Sequence, residues 1–259
     1  LGPDHPDTLS SRNNLAYAYI SVGRLADAIA LYEQTDADSV RVLGPDHPDT
    51  FVSRNNLAFV YELVGRFDEA ITLRRQTLDD CVRIFGEEHA ETLASRSYLA
   101  RAFRAAGRLD EAIPLYEEVL AERMRILGAD HPDTLTSRSN LAYAYRSAGR
   151  LTDAMALYEE VLAERMRILG ADHPDTLISR YNLAHAYWEA GRLGKAITLF
   201  EEVLADQLRV LGPNHPYTVA SRCFLARAYR EAGRVDDATA VLNPPTDPDD
   251  VDAHRIESR

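Results

Sequence analysis

Apolar residues recur at helical spacing along most of the chain, and the pattern is interrupted at fixed intervals. Leu9, Leu15, Ala16 and Tyr19 share one helical face, and Ala28, Ile29, Leu31 and Tyr32 share another. Pro6 suits a first helical position, where its missing N–H would have no partner in any case. Asp7 places negative charge at the positive end of the helix dipole. Gly23 supplies the left-handed residue that ends a helix, and Gly44 stops the next one. The pattern therefore predicts one helix from about Pro6 to about Val22 and a second from about Leu25 to about Val42. A link as short as Gly23-Arg24 makes the two antiparallel neighbours. Strand-forming runs of Val, Ile and Thr are absent.

The same arrangement returns along the chain. The segment Leu1-Gly2-Pro3-Asp4-His5-Pro6-Asp7-Thr8 recurs from Leu43, Phe85, Leu127, Leu169 and Leu211, always at an interval of 42 residues. A Leu-Ala pair follows in every copy, from Leu15-Ala16 to Leu225-Ala226, and a Gly-Arg pair from Gly23-Arg24 to Gly233-Arg234. Six units result, 1–42, 43–84, 85–126, 127–168, 169–210 and 211–242, with an acidic C-terminal tail at 243–259. No unit can bury its apolar face alone, so an all-α solenoid of antiparallel helix pairs with a core shared between neighbours is expected. Pro114 sits early in a helix and removes one backbone hydrogen bond. Arg74 stands where other units carry Tyr32, Tyr116, Tyr158 and Phe200. Asp36 stands where others carry Leu78, Leu120, Leu162 and Leu204. A buried unpaired carboxylate is costly, so the end of the second helix is expected to be loose or exposed. In the tail, Asp247-Pro248 is a start signal for a short helix, and the acidic run is expected either to cap the last unit or to occupy an arginine-lined groove.

Composition narrows the function. The net charge of −12 argues against nucleic acid, whose backbone calls for a basic surface. Cys81 and Cys223 form no Cys-x-x-Cys pair, so no zinc ribbon or disulfide framework is indicated and a reducing, cytoplasmic setting is expected. No apolar run approaches about 18 residues, which leaves a membrane span without support. Leu1 starts inside the repeating pattern, so a native segment is expected to precede it. Gly-rich phosphate loops, His-Glu-x-x-His and Gly-x-Ser-x-Gly are all missing, so no cofactor and no enzymatic activity are expected.

Leu15, Ala16, Tyr19, Ala28 and Tyr32 follow a large-small-aromatic-small-aromatic order that resembles the tetratricopeptide repeat (TPR). The standard unit has about 34 residues. The longer period here, with Leu-Gly-x-Asp-His-Pro and Asn-Asn-Leu-Ala, resembles the repeats of kinesin light chains. The resemblance covers residues 1 to about 242. It implies a right-handed superhelix, a protein-interaction role, and a concave groove lined by the first helix of each pair. It is also compatible with a regulatory, sensory or self-associating segment of a larger signalling protein behind a nucleotide-binding domain.

On that implied geometry three columns face the groove. The first reads Asn14, Asn56, Tyr98, Asn140, Asn182 and Phe224; amides can both donate to and accept from an extended peptide backbone. The second reads Tyr17, Phe59, Arg101, Tyr143, His185 and Arg227, and the third Ile20, Glu62, Arg104, Arg146, Trp188 and Arg230. In units three to six Arg101, Arg104, Arg146, Arg227 and Arg230 meet only Glu189 and Glu231 as opposing groove charges, and the resemblance to kinesin light chain repeats implies an acidic peptide with an aromatic anchor as the partner. The binding candidates are accordingly the asparagines with Tyr98, Tyr143, His185, Trp188 and the five arginines. Other columns read as structural. The six histidines from His5 to His215 stand about 10 Å apart in stacked helices, whereas zinc ligands must lie within about 2 Å of one ion. The arginines Arg12, Arg54, Arg96, Arg138, Arg180 and Arg222 fall on the packing face, and Arg96, Arg138 and Arg180 are expected to be mostly buried against protein partners. The acidic pairs Glu117-Glu118, Glu159-Glu160 and Glu201-Glu202 read as solvated helix faces.

Overall fold

The computed structural model describes residue 2 and residues 4–243; the tail, with its expected helix after Asp247, lies outside the described residues. The chain divides into two compact units, Leu1–Ala148 and Gly149–Arg259. The first holds α1 (Pro6–Ser21), α2 (Leu25–Leu43), α3 (Pro48–Leu63), α4 (Phe67–Phe85), α5 (Ala90–Ala105), α6 (Leu109–Leu127) and α7 (Pro132–Ser147). The second holds α8 (Leu151–Leu169), α9 (Pro174–Glu189), α10 (Leu193–Val210), α11 (Pro216–Glu231) and α12 (Val235–Leu242). The described residues are all-helical, without strands, and within each unit every helix packs on its neighbours in sequence. The division falls between the two helices of the fourth 42-residue repeat.

Local signals set each helix. The first helix of each pair is capped by the repeat histidine. Its Nδ1 accepts the backbone N–H two residues on at 3.1–3.3 Å, from His5 with Asp7 to His215 with Tyr217. This satisfies one of the donors that a helix start leaves without a partner. Thr8, Thr50 and Thr92 close the same turn by donating to the carbonyls of Gly2, Gly44 and Gly86. At the far end Gly23, with φ of 75°, donates to Ile20 O while Arg24 N–H reaches Tyr19 O at 2.8 Å, a Schellman stop. Arg24 then donates through Nε to Asp27 at 2.7 Å and lies 4.4 Å over the Tyr19 ring. Arg66 and Arg234 repeat the arrangement over Tyr61 and Tyr229.

Alanines let the helices approach. Ala16, Ala28, Ala58, Ala70, Ala100, Ala112 and Ala142 are sealed from solvent in the first unit, as are Ala154, Ala184 and Ala196 in the second. Tyr32, Tyr116, Tyr158 and Phe200 fill the space between them. Leu15 departs from expectation at 47% exposed, while Leu57, Leu99, Leu141, Leu183 and Leu225 are buried. Leu57 belongs to one core cluster with Ala28 and Tyr32 of the preceding pair.

The end of α2 is also not loose. The helix runs unbroken to Leu43, held by a chain of charges in which Arg12 meets Asp38 at 2.7 Å and Arg41 meets both Asp38 and Asp4. Arg54, Asp80, Arg83 and Asp46 repeat this chain, and Arg180, Asp206, Arg209 and Asp172 repeat it in the second unit. Asp36 consequently stays half-buried. Its Oδ1 has no hydrogen bond among the described residues, and burial pushes its carboxyl above the usual range, with Arg54 opposing. α6 continues through Pro114.

Candidate peptide-binding surface

The outer faces of α3, α5 and α7 bring nine of the groove-column residues of the first unit into one row. Spacings of three along each helix put Asn56, Phe59 and Glu62, then Tyr98, Arg101 and Arg104, then Asn140, Tyr143 and Arg146 on one side. Contacts join the helices. Arg101 Nε lies 3.2 Å from Glu62 Oε2, and its guanidinium sits 5.5 Å from the Phe59 ring. Arg104 and Arg146 both lie over Tyr143, at 4.2 and 4.5 Å from the ring centre.

Arg74 lies beneath this row. It is 2% exposed, pairs with Glu62 at 3.2 Å, donates to Asn55 Oδ1 and lies 5.0 Å from the Tyr98 ring. Glu62 therefore serves two guanidiniums, and the Arg74–Glu62–Arg101 group carries one net positive charge. Burial works against the Arg74 charge and Glu62 sustains it. The group opens into a cavity of about 320 Å³ lined by Val52, Asn55, Asn56, Phe59, Arg74, Tyr98 and Arg101. Arg74 and Asn55 are the residues missed in the sequence. Arg74 was visible there only as a break in an aromatic column, with nothing to say where its charge would point.

Other placements correct the sequence reading. Arg101 faces Glu62 of the adjacent pair, a carboxylate not set against it in the sequence, while Arg227 faces Glu231, one of the two expected opposing charges, at 3.5 Å. His185 is buried, with its ring 4.3 Å from Phe224 and 5.7 Å from Trp188, and with Nε2 3.1 Å from the Tyr181 hydroxyl. It packs under the surface because its aromatic neighbours close over it. Trp188 donates to Glu231 at 2.6 Å, and Arg227 lies over its ring at 4.6 Å. Asn14, Arg227 and Arg230 are exposed, and Asn182 is half-buried.

The packing-face arginines occupy the other side. Arg54, Arg138 and Arg180 are buried, while Arg96 is half-buried against Glu87. Nor are the acidic pairs simply solvated. Glu117, Glu159 and Glu201 accept hydrogen bonds from Tyr145, Tyr187 and Tyr229 of the following pair, as Glu33 does from Tyr61.

Stacked helix pairs that present charged and aromatic side chains along one face define a helical-repeat interaction scaffold. Tetratricopeptide-repeat models match residues 8–49 and then, in overlapping stretches, residues 49–121, 104–163, 149–208 and 192–243. The chain belongs to the tetratricopeptide repeat family, whose members act as protein-interaction scaffolds. It is similar to the kinesin light chain of Podosopora anserina with nearly identical TPR-like repeats: 35% identity, 80% of this chain and 98% of that one, TM-score 0.67. BtubC (BKLC) from P. vanneervenii shares the fold at 21% identity and a TM-score of 0.70, over 85% of this chain and 88% of that one. A signal-transduction ATPase with a tetratricopeptide repeat sensor from Pyrococcus horikoshii shares it at 15% identity and a TM-score of 0.59, over 91% of this chain and 35% of that one. No curated protein matches the sequence. Among the described residues no helix is long and apolar enough to cross a membrane.

Proposed function

We propose that the chain is a scaffold that captures an extended, acidic peptide segment along the exposed face of α3, α5 and α7. One observation carries this reading: Arg74 and Arg101 share the single carboxylate of Glu62. A half-buried excess of positive charge favours an anionic partner, because a second carboxylate there would meet a guanidinium already shielded from water. Asn55 and Asn56 border the same cavity and supply amide groups for a peptide backbone. Arg104 and Arg146 extend the positive row, their planes positioned by the Tyr143 ring.

The test is titration of a fluorescent peptide carrying several Asp or Glu residues and one aromatic, against its Asn/Gln counterpart. The acidic peptide should bind more tightly, and the advantage should shrink with added salt, since exposed charges are screened over about 10 Å at 0.1 M. Reversal of both Arg104 and Arg146 to Glu should weaken binding about tenfold or more, equivalent to about 1.4 kcal/mol. Equal affinity for the two peptides, or unchanged affinity in the folded double variant, would refute the acidic partner.

A further inference from the structure

The second unit contains a cavity of about 500 Å³ between α9, the end of α10 and the start of α11. At this point in every repeat junction a residue of the second helix faces a serine of the next pair. In the first four junctions that contact is closed. Ser39 meets Ser53 at 3.2 Å and Cys81 meets Ser95 at 3.3 Å. Arg123 donates to Ser137 Oγ at 2.9 Å and to Asp133 O, and Arg165 donates to Ser179 Oγ at 2.8 Å and to Asp175 O. The fifth repeat has Gln207, facing Ser221. Gln207 does not close the contact: Gln207 Oε1 and Ser221 Oγ have no hydrogen-bond partner among the described residues. Gln207 is 6% exposed and Ser221 0%.

Both residues line the cavity. Leu177, Ile178, Val210 and Leu211 make the wall mostly apolar, Tyr181, Asn182, His215 and Tyr217 add polar groups to it, and no Asp, Glu, Lys or Arg contributes. Two buried polar atoms left unsatisfied are costly, and a mainly apolar pocket of this size is typical of small-molecule sites. We propose that the cavity binds an uncharged, largely aromatic or aliphatic small molecule whose hydrogen-bond donor meets Gln207 Oε1, with Ser221 Oγ beside it. A charged ligand is disfavoured because the wall holds no Asp, Glu, Lys or Arg to oppose its charge.

Indole, a flat apolar ring with one N–H, is the probe, and 1-methylindole, which lacks that donor, is its control. Each is titrated into the full chain while the methyl resonances of Leu177 and Ile178 are followed by NMR. Indole should shift them saturably, and 1-methylindole should bind about five- to tenfold more weakly for want of one hydrogen bond. Gln207→Arg restores the residue that closes the preceding junction and should abolish indole binding with no loss of melting temperature. Ala220→Phe, which fills the cavity from its rim, serves the same purpose if the first variant does not fold. Absence of saturable shifts in the wild type, with Gln207→Arg raising the melting temperature, would identify a water-filled packing defect and overturn the proposal. Undiminished binding in the folded filled variants would overturn it equally.

Discussion

Single side chains decide where this repeat array gains and loses stability. Asp36 replaces the leucine of other repeats, yet the helix around it is intact, so the unfavourable burial is kept within the native state. Its carboxyl is raised in the fold, so the native form holds the proton more tightly than the unfolded chain does. The cost is therefore largest at neutral pH and is relieved as pH falls through the raised value. Asp36→Leu should stabilise the chain by about 1–3 kcal/mol at pH 7, and the gain should shrink on acidification; denaturant melts at pH 7 and pH 4 measure both. The packing-face arginines are the converse. Arg180→Ala would leave Asp206 without its closest partner and remove a buried stem, so about 1–3 kcal/mol of stability should be lost. Acidic-peptide affinity should be unaffected. Unchanged melting with lost binding would instead place Arg180 in the binding surface.

At the level of helices, successive pairs are tied by a hydrogen bond from a tyrosine of one pair to a glutamate of the pair before. Tyr61, Tyr187 and Tyr229 make these bonds to Glu33, Glu159 and Glu201. Burial first, and the adjacent carboxylate second, push each of these phenols to about 12. The unfolded value is about 10. A raised native value means stability that is fully present below about pH 10 and is lost as pH climbs through about 12. The melting temperature should thus fall steeply across that window. In a variant with Phe at all three positions the fall should be shallower, although each substitution costs about 1 kcal/mol at pH 8. An equally steep fall in the triple variant would assign the alkaline transition to other groups. The tie also explains why the acidic pairs, which look like plain solvated surface in the sequence, recur at the repeat period.

At the scale of the whole molecule, much of the architecture was legible in the sequence because helix periodicity, His-Pro starts and Gly stops act over a few residues at a time. The 42-residue period then repeats that local information without insertion. Helix bounds, the buried alanines and aromatics, the histidine caps and the burial of Arg138 and Arg180 all follow from such short-range signals. The candidate surface was legible as columns of residue types, since spacing along a helix determines which side chains share a face. Pairing was not legible. That Glu62 lies between Arg74 and Arg101, that His185 is sealed beneath Trp188 and Phe224, and that Gln207 fails to close on Ser221 depend on distances between residues of different helices. Those distances are set by side-chain volume and helix packing, which no spacing along the chain encodes. The sequence by itself determined the repeating helices and the faces they present; the tertiary structure alone decided which charges are neutralised, which remain in excess, and where packing leaves space, because these follow from contacts across helices.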